Sequence, residues 1–155
     1  MSDLPALPVT FRPGVTRAVL LSAGTAIFAV IAVVAVLLEQ LTPGERLSFV
    51  FTGALLFGVL AMLARPKVVA DERGVTVVNI ASRRRLAWPE ILQVNLRPGD
   101  PWVFLDLSDG TSLPVLGIQP GIARQRALTD ARALRALVDA GTAEDPERSQ
   151  GEPRG

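Results

Sequence analysis

The sequence predicts an α+β membrane protein in which an N-terminal hairpin of two transmembrane helices precedes a small antiparallel β-domain capped by one C-terminal helix. Two long apolar stretches without charges come first in the chain. Short β-branched runs separated by turn residues follow, as is typical of antiparallel sheets. An amphipathic segment comes last. The 49% apolar content of the 155 residues is high for a soluble domain and agrees with a part buried in lipid.

The transmembrane hairpin is predicted over residues 18–64. Residues 18–38 carry no charge and, at about 1.5 Å per helical residue, are long enough for a hydrocarbon core about 30 Å thick. The second span, residues 47–64, is near the lower limit of length. Pro43 and Gly44 between the spans predict a tight turn. A cleaved signal peptide is disfavoured for the first span, because a second apolar span follows it.

The basic residues near the span ends predict the orientation of the hairpin. Arg12 and Arg17 precede the first span, and Arg65 and Lys67 follow the second, whereas the connecting loop contains only Arg46. Lysine and arginine near span ends favour the cytoplasmic side. We therefore expect a multi-pass protein of the inner (plasma) membrane with both termini in the cytoplasm.

Small residues within the spans leave two interpretations open. The motif formed by Ala54 and Gly58 could let the two helices pack closely. Alanine and glycine are also simply common in apolar helices. The sequence alone does not decide between these readings.

The β-domain with its covering helix is predicted over residues 67–141. Gly74, Gly99 and Gly110 provide the positive φ that tight hairpins often need. Within the run that begins at Trp102, alternation predicts that Val103, Leu105 and Leu107 share the buried face. The predicted strands are residues 67–71, 75–80, 84–88, 91–97, 102–108 and 112–116.

The covering helix is predicted over residues 121–141, and two flanking segments are expected to lie outside the folded parts. Gly141 offers a C-terminal stop for the helix. Residues 142–155 are polar and without apolar periodicity, which predicts a disordered tail. Residues 1–17 are expected to form a cytoplasmic N-terminal segment. The apolar face of the helix is predicted to contain Leu128, Ala131, Leu134 and Val138.

Three consecutive arginines form the most unusual stretch of the domain, in the sequence SRRRLAWPEI that begins at Ser82. Strand alternation predicts that Leu86 and Trp88 point inward. Arg83, Arg84 and Arg85 then allow two interpretations. They form either a solvated hairpin end near the cytoplasmic leaflet or a site for anionic lipid headgroups or an acidic partner segment.

The tryptophan of the next run adds a fourth candidate binding residue. Trp102 follows Pro101 at the start of a predicted strand. Its ring could contact protein or the lipid interface at the rim of the domain, or it could complete the edge of the core. We therefore include Trp102 with the three arginines as a candidate lipid or partner contact.

The composition argues against an enzyme and against metal or cofactor binding. The chain has no cysteine and no histidine, which removes Cys/His zinc sites and His-dependent catalysis. Its one lysine, Lys67, is expected against the membrane, where amine chemistry is improbable. We expect no catalytic residue, no metal site, no cofactor and no small-molecule substrate. A net charge of +1 without a basic stripe also disfavours nucleic acid.

In the order of its segments, the chain resembles small two-span membrane proteins of high-G+C (actinobacterial) bacteria that carry a bacterial pleckstrin-homology (PH) domain. The resemblance depends on the turn DERGV from Asp71, the basic strand ending in WPEI from Trp88, and the DG hairpin at Asp109. It implies a PH-like antiparallel β-barrel, partly open and capped by the C-terminal helix, that serves as a binding or scaffold module rather than an enzyme.

The resemblance also implies two alternative functions. In the first, the protein is an accessory subunit or scaffold that binds another membrane protein or complex. In the second, the module senses anionic lipids at the cytoplasmic leaflet, because eukaryotic domains of this fold often bind phosphoinositides beside a basic early hairpin. The expected partners are thus membrane lipids and another membrane protein.

Overall fold

The computed structural model describes residues 4–143, and the chain divides into two compact units. One unit is the helical hairpin, residues 14–65. The other combines the residues before Gly14 with those from Pro66 onward. The predicted tail at residues 142–155 lies mostly outside the described residues.

The hairpin consists of α1, Gly14–Leu37, and α2, Pro43–Leu63, and both helices are long and apolar enough to cross a membrane. The predicted turn at Pro43 is the first turn of α2. Thr42 caps this helix, because its hydroxyl accepts from the Glu45 N–H at 3.3 Å while its own N–H donates to the Glu45 carboxylate at 2.8 Å. Proline suits this position, since the first helical N–H groups have no partner within the helix.

Two buried glycines let α1 and α2 pack closely. A Cβ on Gly24 would lie 3.0 Å from the Phe57 ring, and one on Gly53 would lie 3.2 Å from the Phe28 ring. Gly58 has no neighbour within 4 Å, so the motif singled out in the sequence does not form this contact. Small residues do permit the close approach, but at other positions.

The β-domain contains two antiparallel sheets and one helix, α3, Arg124–Ala143. The α+β layout is confirmed, but the sheets do not close into the predicted barrel. One sheet has the order β1-β2-β3-β4 and the other β5-β6-β7. The strands are β1 Val9–Phe11, β2 Lys67–Asp71, β3 Gly74–Val78, β4 Arg83–Ala87, β5 Ile91–Asn95, β6 Val103–Leu107 and β7 Ser112–Val115.

The first strand comes from the N-terminal segment, where the sequence predicted none. β1 pairs with β2 in the register Val9 with Ala70 and Phe11 with Val68, and the Phe11 side chain joins the core. The hairpin is therefore an insertion between the first two strands of one sheet.

An asparagine side chain links the two sheets where strand pairing is missing. The Asn79 amide nitrogen donates to the Pro114 carbonyl at 2.9 Å, and its amide oxygen accepts from the Leu116 N–H at 3.1 Å. This pattern imitates one rung of a β-ladder. Within the second sheet, Val103, Leu105 and Leu107 are buried, as alternation predicted.

Helix α3 packs on β5 and on a short 3₁₀ helix, Trp88–Glu90. Leu128 of the predicted face is only half-buried, because the buried face of α3 contains the preceding residue, Ala127, instead. Gly141 does not stop the helix. A Cβ there would lie 2.5 Å from Cγ of the Trp88 ring, so glycine leaves room for that ring. The buried residues of α3 are Ala127, Ala131, Leu134, Leu137 and Val138.

Candidate functional site

The three arginines lie on β4, which forms an edge of the four-stranded sheet. Leu86 is buried, as predicted, while Arg83, Arg84 and Arg85 are all exposed. Trp88 is also buried, but it belongs to the 3₁₀ helix that follows the strand, since Pro89 interrupts the extended chain. An edge strand with long basic side chains resists unwanted pairing with another strand.

Two of the three arginines form ion pairs within the domain. Arg85 Nη2 lies 2.9 Å from Asp71 Oδ2, and Arg84 Nη2 lies 3.5 Å from Asp109 Oδ2. These two carboxylates partly neutralise the basic strand, so a lipid or protein ligand would have to compete with them.

Backbone hydrogen bonds hold Asp71 in place for its arginine. Asp71 Oδ1 accepts from the Arg73 N–H at 2.8 Å and from the Gly74 N–H at 3.1 Å. The Arg73 bond is the main cause that lowers the pKa of Asp71, and the charge of Arg85 lowers it further, while partial burial opposes both. The Asp71 carboxylate therefore stays ionised at a lower pH than an ordinary aspartate does.

Arg83 differs from its two neighbours, because it has no ion pair among residues 4–143. It is paired in register with Val78, which is paired in turn with Lys67. Arg83 and Lys67 thus lie in the same cross-strand row of the sheet. Lys67 is the first residue of β2, the strand that follows the hairpin in the chain. Arg12, in the two-residue connection between β1 and α1, is exposed as well.

Trp102 precedes β6 and is half-buried. Its ring centroid lies 6.4 Å from that of Phe104, with the planes tilted by 49°. The indole Nε1 is buried and has no hydrogen-bond partner within the described part of the chain. Trp102 is thus the last residue of the β5–β6 loop, whereas the three arginines are on β4 of the other sheet.

A cleft of about 420 Å³ lies between the β5–β6 loop and the start of α3. One wall is a tight turn in which the Asp100 N–H donates to the Arg97 carbonyl at 3.0 Å, with Pro98 and Gly99 (φ 93°) as the central residues. This is the arrangement of a type II turn. The other wall contains Pro120 and the first residues of α3.

The charged residues that line the cleft are Arg97, Asp100 and Arg124. Asp100 accepts a hydrogen bond from the Arg97 backbone N–H at 2.9 Å. Neither arginine forms an ion pair among residues 4–143. In the sequence, only the turn PGDP was visible as a feature of this site. Nothing in the sequence indicated that this turn would lie next to the start of α3.

No group of three or more histidine, cysteine, aspartate or glutamate side chains could hold a metal ion within the described part of the chain. Ion pairs in the described part of the chain join Arg84 to Asp109 and Arg85 to Asp71. Among the features that the domain could offer a partner are exposed arginines and the cleft beside α3.

Comparison with known proteins finds one family model and several relatives that are similar to the β-domain. Residues 65–137 match the family model described as "Bacterial PH domain". The chain is also 30% identical over 86 residues to "Uncharacterized protein Rv1417" and "Uncharacterized protein MT1460" of Mycobacterium tuberculosis and to "Uncharacterized protein Mb1452" of Mycobacterium bovis. This match covers 56% of the chain and 55% of each relative.

The matched region thus spans about half the length of the curated relatives. No solved structure matches the chain. The resemblance stated from the DERGV turn, the basic strand and the DG hairpin is confirmed, and the relatives are actinobacterial, as expected. Residues 65–137 are thus similar to bacterial PH domains.

Proposed function

We propose that this protein is a membrane-anchored scaffold, an accessory subunit whose PH domain binds another membrane protein or complex. PH domains are generally not enzymes and bind lipids or proteins. The two apolar helices of the hairpin supply the membrane association. The proposal places the domain on the cytoplasmic side of the inner membrane, following the basic residues at the span ends.

The observation that carries the proposal is the cleft beside α3. Its volume of about 420 Å³ is within the range typical of binding pockets. Ile122, which follows the lining residue Gly121 in the chain, is 67% exposed, and such a side chain gains from burial against a partner. The ion pairs on β4 favour the cleft over the arginine strand as the binding surface, because Arg84 and Arg85 are already paired with carboxylates.

Affinity purification of the full chain from gently solubilised membranes of its own host tests this function. We expect a second membrane protein in constant stoichiometric ratio through successive purification steps. A tagged hairpin in which residues 66–143 are deleted is the matched control and should lose the partner. If the full chain repeatedly purifies alone, the scaffold function is wrong.

A second candidate function is binding of anionic lipid by Arg83, and the observation that favours it is the lack of an ion pair at this residue. A basic residue near an anionic leaflet contributes about 1 kcal/mol, which would orient a tethered domain rather than anchor it. Hydrogen exchange of the full chain in nanodiscs tests this. Anionic discs should protect the β3–β4 turn more than neutral discs, and Arg83→Gln should remove the difference.

Equal protection of that turn in anionic and neutral discs would exclude the lipid function. Arg132→Gln, an exposed arginine on α3, is the matched control and should leave the difference in place. High salt should reduce the effect in the wild type, because exposed charges are screened.

A further inference from the structure

We propose that the cleft beside α3 binds an acidic segment of the partner protein, with Arg97 and Arg124 pairing to its carboxylates. This inference rests on the proposed scaffold function and names the chemistry of the surface that the partner offers. It differs from the expectation for the arginine strand, because the cleft arginines lie on another part of the domain.

Charge complementarity identifies the occupant. Arg97 and Arg124 line the cleft from opposite walls, and neither has an ion pair among the described residues. Asp100 is the one carboxylate in the lining, and the Arg97 backbone N–H binds one of its oxygens. The lining therefore carries two positive charges against one negative charge, and an arginine can bind a carboxylate through two parallel hydrogen bonds.

The apolar part of the cleft indicates a peptide rather than an isolated anion. Leu96 and Leu128 also line the cleft and are each half-buried. Ile122, between the lining residues Gly121 and Arg124 in the chain, is exposed. A segment that alternates carboxylates with apolar side chains would satisfy both parts of this surface, and arginine is enriched at the centre of protein interfaces.

Prolines and a hydrogen-bonded turn restrict the backbone of the cleft walls. Pro98, Pro101 and Pro120 fix the backbone at three lining positions, and the turn at Gly99 is closed by a hydrogen bond. A preformed site loses little conformational entropy on binding. The hairpin joins β1 and β2 of the four-stranded sheet, whereas the β5–β6 loop and the start of α3 form the cleft. The lipid-oriented candidate, Arg83, therefore belongs to a different surface.

Site-specific photo-crosslinking in the native host tests the inference. A photoreactive phenylalanine analogue replaces Ile122 in the full-length chain, and a matched control carries it at Leu92, which is 56% exposed on β5 and does not line the cleft. We expect the Ile122 probe to crosslink a peptide of the copurifying partner that contains aspartate or glutamate residues. The Leu92 probe should not crosslink this peptide.

Charge reversal shows whether the arginines bind this peptide. The double variant Arg97→Glu with Arg124→Glu should reduce the crosslink about tenfold or more, since each lost charged hydrogen bond weakens binding by roughly that factor. Arg132→Glu, on the same helix but outside the cleft, should leave the crosslink within about twofold of the wild type. Unchanged Trp fluorescence shows that both variants are folded.

The outcomes separate the inference from the function on which it rests. If a stoichiometric partner is present but the Ile122 crosslink is absent, falls on lipid, or survives the double charge reversal, the inference is wrong and the scaffold function stands. If no partner copurifies and neither probe crosslinks a protein, both are wrong.

Discussion

Truncation of Phe11 tests whether the N-terminal strand is part of the β-domain. Phe11 is 6% exposed and belongs to the core, although the family match begins only at residue 65. Replacing a buried phenylalanine by alanine typically costs 3–5 kcal/mol. Because β1 is a short edge strand that can relax, we expect Phe11→Ala to lower the free energy of unfolding by about 3 kcal/mol.

Urea denaturation followed by tryptophan fluorescence measures this loss. Both tryptophans of the chain, Trp88 and Trp102, lie in the β-domain, so the signal reports the domain and not the hairpin. With a slope of about 1 to 1.5 kcal/mol per molar urea, the midpoint should fall by about 2–3 M. Thr10→Ala, on the exposed face of the same strand, should cost less than about 0.5 kcal/mol. Equal effects of the two substitutions would refute the role of β1.

The same assay checks three further predictions. Gly141→Ala should destabilise the domain by about 1–2 kcal/mol, because the clash with the Trp88 ring outweighs the gain in helix propensity; a stabilised variant would contradict this. Asn79→Ala should cost about 1–2 kcal/mol through two lost hydrogen bonds between the sheets, and no effect would refute the bridge. Because the folded pKa of Asp71 is lowered, its contribution is present above the unfolded pKa and is lost as the pH falls through the folded pKa. Asp71→Asn should therefore be less stable than the wild type near neutral pH, and the difference should vanish in acid; a constant difference would contradict the pKa argument.

The sequence predicted the elements that depend on local periodicity. Apolar length was enough for both helices, and alternation identified the buried face of β6. Prediction from the sequence failed where contacts between residues distant in the chain determine the structure. Val9–Phe11 is too short to stand out as a strand, and only the exposed edge of β2 gives it a partner. Gly141 resembles a helix stop until Trp88 is placed against it.

The candidate site shows the same limit. The arginine triplet was visible in the sequence, but its carboxylate partners are distant: Asp71 precedes Arg85 by 14 residues, and Asp109 follows Arg84 by 25. The cleft was invisible for the same reason. Arg97 and Arg124 line the same cleft only because the β5–β6 loop and the start of α3 come together in the folded domain.

Accessibility labelling of single cysteines tests the central claim most directly: the hairpin inserted between β1 and β2 crosses the membrane and returns to the same side. The chain has no native cysteine. One cysteine is introduced in turn at Ala6 before β1, at Gln40 between the helices, and at Ser82 before β4. Gln40 is exposed and leaves the Thr42 cap intact.

An impermeant maleimide is then applied to intact cells stripped of any outer barrier. We expect labelling at position 40 and protection at positions 6 and 82 until the cells are opened. Labelling of 6 and 82 on opposite sides would contradict the pairing of β1 with β2. Labelling of all three positions on one side would show that the hairpin does not cross the membrane.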